Sequence, residues 1–217
     1  MGIWKSIVLF CLVAASAFAV ASRQHDRQLW NWTRANFEKN DKSGFVQYQI
    51  RHSDERNAIY EQQFNTGAHR QFGKYKVGGI YTYGYFEALN QQRENRYAIE
   101  VEGDITAFGP HVYYSRVRQE FRDFIGDSGL SYRFRWLNGF KILKPIAFDH
   151  FLDFSSEFNI YLNSTDFVDS GFSSHRFIAA LRPLSEKNPV SWNYIYDYNH
   201  TEDRDLHRHI FALGIVF

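Results

Sequence analysis

Cysteine is nearly absent. The one example, Cys11, lies inside an apolar N-terminal run. Without it the chain has no thiol, which excludes disulfides, zinc–cysteine sites and cysteine nucleophiles. Proline is scarce, with four residues, and no later apolar stretch approaches the roughly 20 residues that a membrane-crossing helix requires. Charge of one sign is also lacking. Once Lys5 is set aside, 24 basic residues face 24 acidic ones, so no nucleic-acid partner is expected.

The N-terminal run has its own reading. Lys5 gives a short positive segment, and Ile7 to Ala19 is apolar over the length of a secretory signal. Ala17-Phe18-Ala19 or Ala19-Val20-Ala21 suits cleavage, and the chain turns polar at once from Ser22. Residues 1–21 are therefore expected to be a signal peptide, leaving 22–217 as one secreted domain. That domain is long enough to hold itself together without disulfides.

What the chain has in abundance is aromatic rings. They make up 18% of residues, beside 23% charged residues. In a transmembrane barrel, lipid-facing and lumen-facing residues alternate and cancel in any average, so a negative mean hydropathy does not argue against a membrane. Period two dominates the rest of the chain. Gln28 to Lys39 is a first candidate strand, with Trp30 and Trp32 on one parity. Val46, Tyr48 and Ile50 alternate with Gln47, Gln49 and Arg51. Ala58 to Ala68 follows, then Lys74 to Phe86 with Tyr75, Val77, Tyr81, Tyr83 and Tyr85 on one face.

Next, Tyr97, Ile99 and Val101 oppose Arg96, Glu100 and Glu102. Tyr113, Val117 and Phe121 oppose Arg116, Arg118, Glu120 and Arg122. Tyr132, Phe134 and Trp136 oppose Arg133 and Arg135. Leu152, Phe154, Phe158 and Ile160 oppose Asp153, Glu157 and Asn159. His175 to Arg182, Val190 to Tyr198 and Leu206 to Phe217 complete eleven runs. Turn residues separate them at Asn40 to Gly44, Gly126 to Gly129 and Asn138-Gly139, the last a tight-hairpin signal.

The expected fold is all-β, a closed antiparallel transmembrane barrel of meander topology. Single-chain bacterial barrels have even strand numbers. Twelve strands are expected, with Phe140 to Ala147 as the extra one after Asn138-Gly139. Ten would follow if the first run does not span.

Three features favour a membrane barrel over a soluble one. The rows Tyr81, Tyr83, Tyr85 and Trp192, Tyr194, Tyr196, Tyr198 suit a bilayer interface. The strand number overfills an eight-stranded soluble barrel. Phe211, Leu213, Ile215 and Phe217 occupy alternate positions up to the last residue. They form an expected insertion signal for the barrel-insertion machinery, on a strand that must also close the sheet.

The charged parity must then be the lumen. A lipid-facing Arg at midplane depth costs roughly 2–4 kcal/mol, so Arg116, Arg118 and Arg122 facing lipid would cost about 10 kcal/mol, comparable with a whole domain's stability. The expected lumen set is Arg96, Glu100, Glu102, Arg116, Arg118, Glu120, Arg122, Arg133, Arg135, Asp153 and Glu157.

These residues carry a resemblance. Gly84-Tyr85, Glu94-Asn95-Arg96, Arg116-Val117-Arg118-Gln119-Glu120-Phe121-Arg122 and Tyr132-Arg133-Phe134-Arg135, followed by a Glu157 strand, resemble the bacterial outer-membrane barrels grouped as domain of unknown function 2490. The match covers essentially the whole of 22–217, although the glutamines expected after Arg96 are missing. The resemblance implies fold and a Gram-negative outer-membrane location, and no activity. A looser similarity is to small arginine-lined porins for acidic oligosaccharides.

Three functional readings follow. The first is a narrow charged pore for small solutes, or the same lumen plugged by its own ion pairs; even net charge favours the plug. The second is a lipid-directed acylhydrolase. It would need a hydroxyl and a histidine on the lipid-facing wall, for which Ser173 and His175 are two residues apart and His207 and His209 share a face. The third is a surface adhesion barrel acting through loops such as Asn163 to Phe172. The chain is not expected to be an enzyme. No cofactor is expected, and no metal, since His207 and His209 are two ligands and not a site.

Overall fold

The computed structural model describes residues 25–54, 58–87, 92–125, 129–147, 149–165, 170–184, 189–200 and 205–217. The expected signal peptide and the expected turn at Gly126-Asp127-Ser128 lie outside these residues. Eleven strands run in order: β1 His25–Lys39, β2 Lys42–Ser53, β3 Ala58–Phe72, β4 Tyr75–Phe86, β5 Gln92–Phe108, β6 His111–Ile125, β7 Leu130–Ala147, β8 His150–Tyr161, β9 Gly171–Pro183, β10 Val190–His200 and β11 Asp205–Val216. Each pairs antiparallel with its chain neighbour, and β11 returns to β1, closing an all-β meander barrel.

Twelve strands were expected and eleven are found among the described residues. Asn138-Gly139 does not make a hairpin. β7 runs straight through it, so Phe140 to Ala147 continues the same strand. The first run is also a full strand of the barrel, pairing with β2 from Gln28↔Ser53 to Lys39↔Lys42, which rules out ten. A meander reverses direction at every turn, so an odd total leaves the first and last strands pointing the same way. The seam is accordingly parallel, in register from His25↔His207 to Arg34↔Val216. It is extended by reciprocal backbone bonds, Asn36 N–H to Phe217 O and Phe217 N–H to Arg34 O, both 2.8 Å.

One rim carries four tight turns. Each contains a residue in the left-handed region: Asn40 (φ 56°), Gly73 (58°), Gly109 (58°) and Asp149 (59°). Glycine, asparagine and aspartate are the residues that tolerate this conformation. The same rim carries the segment between β9 and β10, and the opposite rim carries the remaining connections.

Gly139 has a different use. A Cβ there would collide with the Tyr114 ring, which lies across it from β6. Gly214 on β11 likewise makes room for the Trp32 indole from across the seam. Inward aromatics thus lie flat against inward glycines on the next strand. Gly139→Val should displace Tyr114 and lower stability by about 1–3 kcal/mol, read as a fall in the urea midpoint in detergent micelles. An unchanged midpoint would mean that Tyr114 has room elsewhere.

Strand parity places the apolar residues outside. Ile99 is 59% exposed and Tyr97 55%, with Val46, Phe64, Val117, Trp136, Phe177 and Trp192 also exposed. Trp30 and Trp32 are on the inward parity. Trp30 packs within the barrel against Ile195, Ile210 and Ala212. Its indole N–H donates to Gln28 Oε1 at 3.0 Å.

Candidate functional site

The interior is where the charges meet. Pairing registers fix the arrangement before any side chain is considered: Glu102↔Arg116↔Leu137↔Glu157↔Arg176↔Asp197↔Arg208↔Asp26 are successive partners from β5 round to β1. This inward row nearly alternates in sign, the favourable pattern for cross-strand neighbours, and it crosses the parallel seam. Arg116 Nη2 lies 3.0 Å from Glu157 Oε1, over the intervening Leu137. Arg176 Nε reaches Asp197 at 3.1 Å. Arg208 lies 3.7 Å from Asp197 and 4.0 Å from Asp26.

A second group sits on the adjoining inward rows. Glu94 accepts from Arg96 Nη2 at 2.6 Å and from Arg122 Nε at 2.5 Å. Glu120, 0% exposed, accepts from Arg133 Nε at 2.7 Å and Arg135 Nη1 at 2.8 Å. Arg135 also reaches Glu157 at 2.6 Å, which ties the two groups together. Glu100 takes Arg118 Nε at 2.7 Å, with Arg116 3.5 Å away and His69 3.3 Å away. The Tyr161 hydroxyl bonds Arg122.

Nine of the eleven expected lumen residues therefore belong to one network. The other two do not. Asp153 lies apart, accepting from Tyr114 Oη and Arg182 Nε at 2.8 Å each. Glu102 is only half-buried and makes no ion pair within 4 Å among the described residues. Sequence reading missed Asp26, Arg34, Glu94, Arg176, Asp197 and Arg208 as lumen residues. Glu94 shares parity with Arg96, and Arg176 stands in the weakest-patterned strand, so parity alone held a faint signal for both. The charges across the seam required the register.

The network does not fill the interior. Beside it lies a cavity of about 440 Å³. Among the described residues lining it, ten are arginines and two, Glu61 and Glu157, are glutamates. The opposite wall, from β2 to β4, presents Gln47, Gln49, Gln63, Asn65 and Thr82. Even net charge over the whole chain thus conceals a cationic interior.

The outer wall corrects one pairing. A bulge in the β8–β9 ladder leaves Ser173 as an extra residue between Phe172 and Ser174. Ser173 lines the cavity and does not share a wall site with His175. His175 instead faces outward, with Nε2 2.7 Å from Ser156 Oγ and its ring stacked on Phe158 at 4.3 Å. His207 and His209 bond the Tyr196 and Tyr194 hydroxyls at 2.6 and 2.8 Å. Among the described residues no group of three or more His, Cys, Asp or Glu could hold a metal ion. Phe211, Leu213 and Ile215 lie on the outward parity of β11, and Phe217 just beyond it is 67% exposed. Asn163 Oδ1 accepts from Tyr132 N–H at 2.7 Å; residues 166–169 of the expected adhesive loop lie outside the described residues.

Removing Glu120 should be costly, because Arg133 and Arg135 keep their charge at any working pH and would be left buried beside less compensation. Glu120→Gln is expected to destabilise by about 3–5 kcal/mol, measured by unfolding in micelles. Glu38→Gln on the exposed rim should change stability by less than about 0.5 kcal/mol. Equal effects would show that the network contributes nothing specific.

No curated protein and no solved structure matches the chain. One family model matches residues 27–208, described as "Protein of unknown function (DUF2490)". That span runs from β1 into β11 and holds the whole interior network apart from Asp26, so this chain belongs to the DUF2490 family.

Proposed function

We propose that this protein is a Gram-negative-type outer-membrane barrel whose lumen is narrowed and bolted by its own arginine–carboxylate network. The observation that carries this reading is the inversion of polarity. The most deeply buried side chains include Glu94, Glu120, Glu157 and Asp197, while large apolar residues stand exposed all round the outside. A soluble barrel places these sets the other way. An exposed apolar surface this extensive fits a lipid environment.

The outward polar groups support the same reading. Hydrocarbon offers them no partner, and they bond to one another across neighbouring strands. Tyr113 Oη donates to Asn138 at 2.8 Å, Trp136 Nε1 to Ser115 at 3.2 Å and Tyr81 Oη to Asn95 at 2.8 Å. The apolar outward face of β11 suits recognition by barrel-insertion machinery. No helix among the described residues is long and apolar enough to cross a membrane.

Two measurements test this. Expressed with its leader, the protein should partition with outer membranes, resist carbonate extraction and need detergent to stay in solution. A monomer soluble in plain buffer would end the proposal. Reconstituted in planar bilayers, it should conduct far less than an open sixteen-stranded porin in the same membrane, because guanidinium and carboxylate groups cross the lumen. Porin-sized conductance would replace the bolted barrel with an open pore.

A second reading, lipid acyl-ester hydrolysis on the outer wall, is favoured by one observation. Ser156 and His175 stand at nucleophile–base distance where lipid would lie. It ranks second because no carboxylate among the described residues hydrogen-bonds His175 to orient it. Phospholipid turnover by the purified protein, lost in Ser156→Ala, would promote this reading. Absence of turnover leaves the pair as a satisfied polar contact on an apolar wall.

A further inference from the structure

We infer that the interior cavity is a binding site for a small, multiply charged anion. The inference rests on the bolted-barrel reading for its biological setting and on the interior geometry for its chemistry.

The first argument is charge balance. Eight arginines, those at 96, 116, 118, 122, 133, 135, 176 and 208, share six carboxylates within 4 Å: Glu94, Glu100, Glu120, Glu157, Asp197 and Asp26. Glu102, beside Arg116 in register, adds one negative charge. Arg34 adds a positive one and has no carboxylate within 4 Å among the described residues; its Nε donates to Asn36 Oδ1 at 2.8 Å and its guanidinium lies 3.9 Å from the Phe45 ring centre. The surplus is cationic and lies inside the barrel, where water screens it less than at the outer surface. A mobile anion is the natural complement.

The second argument is unmet hydrogen bonding. Arg51 Nε and Arg135 Nε belong to residues that line the cavity, and each is buried with no acceptor among the described residues. A buried donor without an acceptor costs roughly 1–3 kcal/mol. A small rotation of either guanidinium would turn its Nε toward the cavity, where an oxygen atom of a bound anion or an ordered water supplies the acceptor.

The third argument is size and the opposite wall. About 440 Å³ falls in the range of small-molecule sites, roughly 300–1,000 Å³. The amides of Gln47, Gln49 and Asn65 across from the arginines both donate and accept, which suits a solute with hydroxyls beside its acidic groups. The ligand class is thus a compact polycarboxylate, acidic sugar or phosphate, recognised by paired guanidinium donors.

The test uses detergent-purified full-length mature protein and follows its unfolding midpoint and calorimetric binding. Trisodium citrate, sodium phosphate and sodium chloride are compared at equal ionic strength. Citrate or phosphate should raise the midpoint beyond chloride, and whichever binds more tightly identifies the acidic group preferred. Arg34→Gln, which breaks no ion pair, should weaken that binding about tenfold, the equivalent of 1.4 kcal/mol. Arg34→Lys should recover part of it, and Lys42→Gln on the exposed turn should bind as wild type. If Arg34→Gln lowers the midpoint without ligand, Gln49→Ala on the opposite wall serves in its place, with the same expected loss. Equal midpoints in all three salts, or undiminished binding by the cavity variants, would overturn the inference. Because the assay reads binding in micelles, its failure would leave the membrane and conductance measurements standing on their own.

Discussion

Everything in this barrel depends on the sharing of buried carboxylates between arginines on different strands. A guanidinium inside a protein must be paired, because burying an isolated charge costs more than a domain's whole stability. Here the pairing is collective. Glu120 holds Arg133 and Arg135, and Arg135 also holds Glu157, which in turn meets Arg116 and Arg176. None of the strands from β5 to β9 can slide without separating several such pairs, so the charges that make the interior costly also specify the register of that arc.

The parallel seam shows this specification at its most demanding. Backbone hydrogen bonds alone would accept β11 beside β1 in several alignments. The observed one sets Arg208 between Asp197 on β10 and Asp26 on β1, and seats Gly214 under the Trp32 ring. A slip of one residue would turn Arg208 toward the exterior and bring a bulkier side chain against the indole. Charge and shape therefore choose the same closure. The odd strand number follows from the path of the chain, and the seam is built to accommodate it.

The proposed function draws on the asymmetry of the interior. One arc of wall, β5 to β9, carries most of the ion-pair network. The arc from β2 to β4 carries amides, a hydroxyl and one ion pair, Arg51–Glu61, and the cavity lies between the two arcs. The same network that ties the strands together therefore presents guanidinium groups to the interior cavity. The proposed structural bolt and the inferred anion-binding face are two aspects of one arrangement.

Much of the wall was legible in the residues themselves. Alternation on β5 to β8 placed Arg96 to Glu157 on one face and the aromatic rows on the other, because side chains along a strand alternate whatever the rest of the fold does. The Arg-x-Arg-x-Glu-x-Arg run carried the family. Other features depended on partners distant in sequence. Asn138-Gly139 has the composition of a hairpin, but the Tyr114 ring makes Gly139 a packing residue within a strand. Ser173 and His175 share a parity until a bulge separates them, and His175 finds Ser156 on another strand. The cationic surplus is invisible in a chain of nearly neutral net charge, because only closure decides which charges turn inward together. Local covalent geometry determined the two faces of each strand. Tertiary pairing decided the count, the seam and the company each buried charge keeps, since these depend on contacts between residues that the linear order keeps far apart.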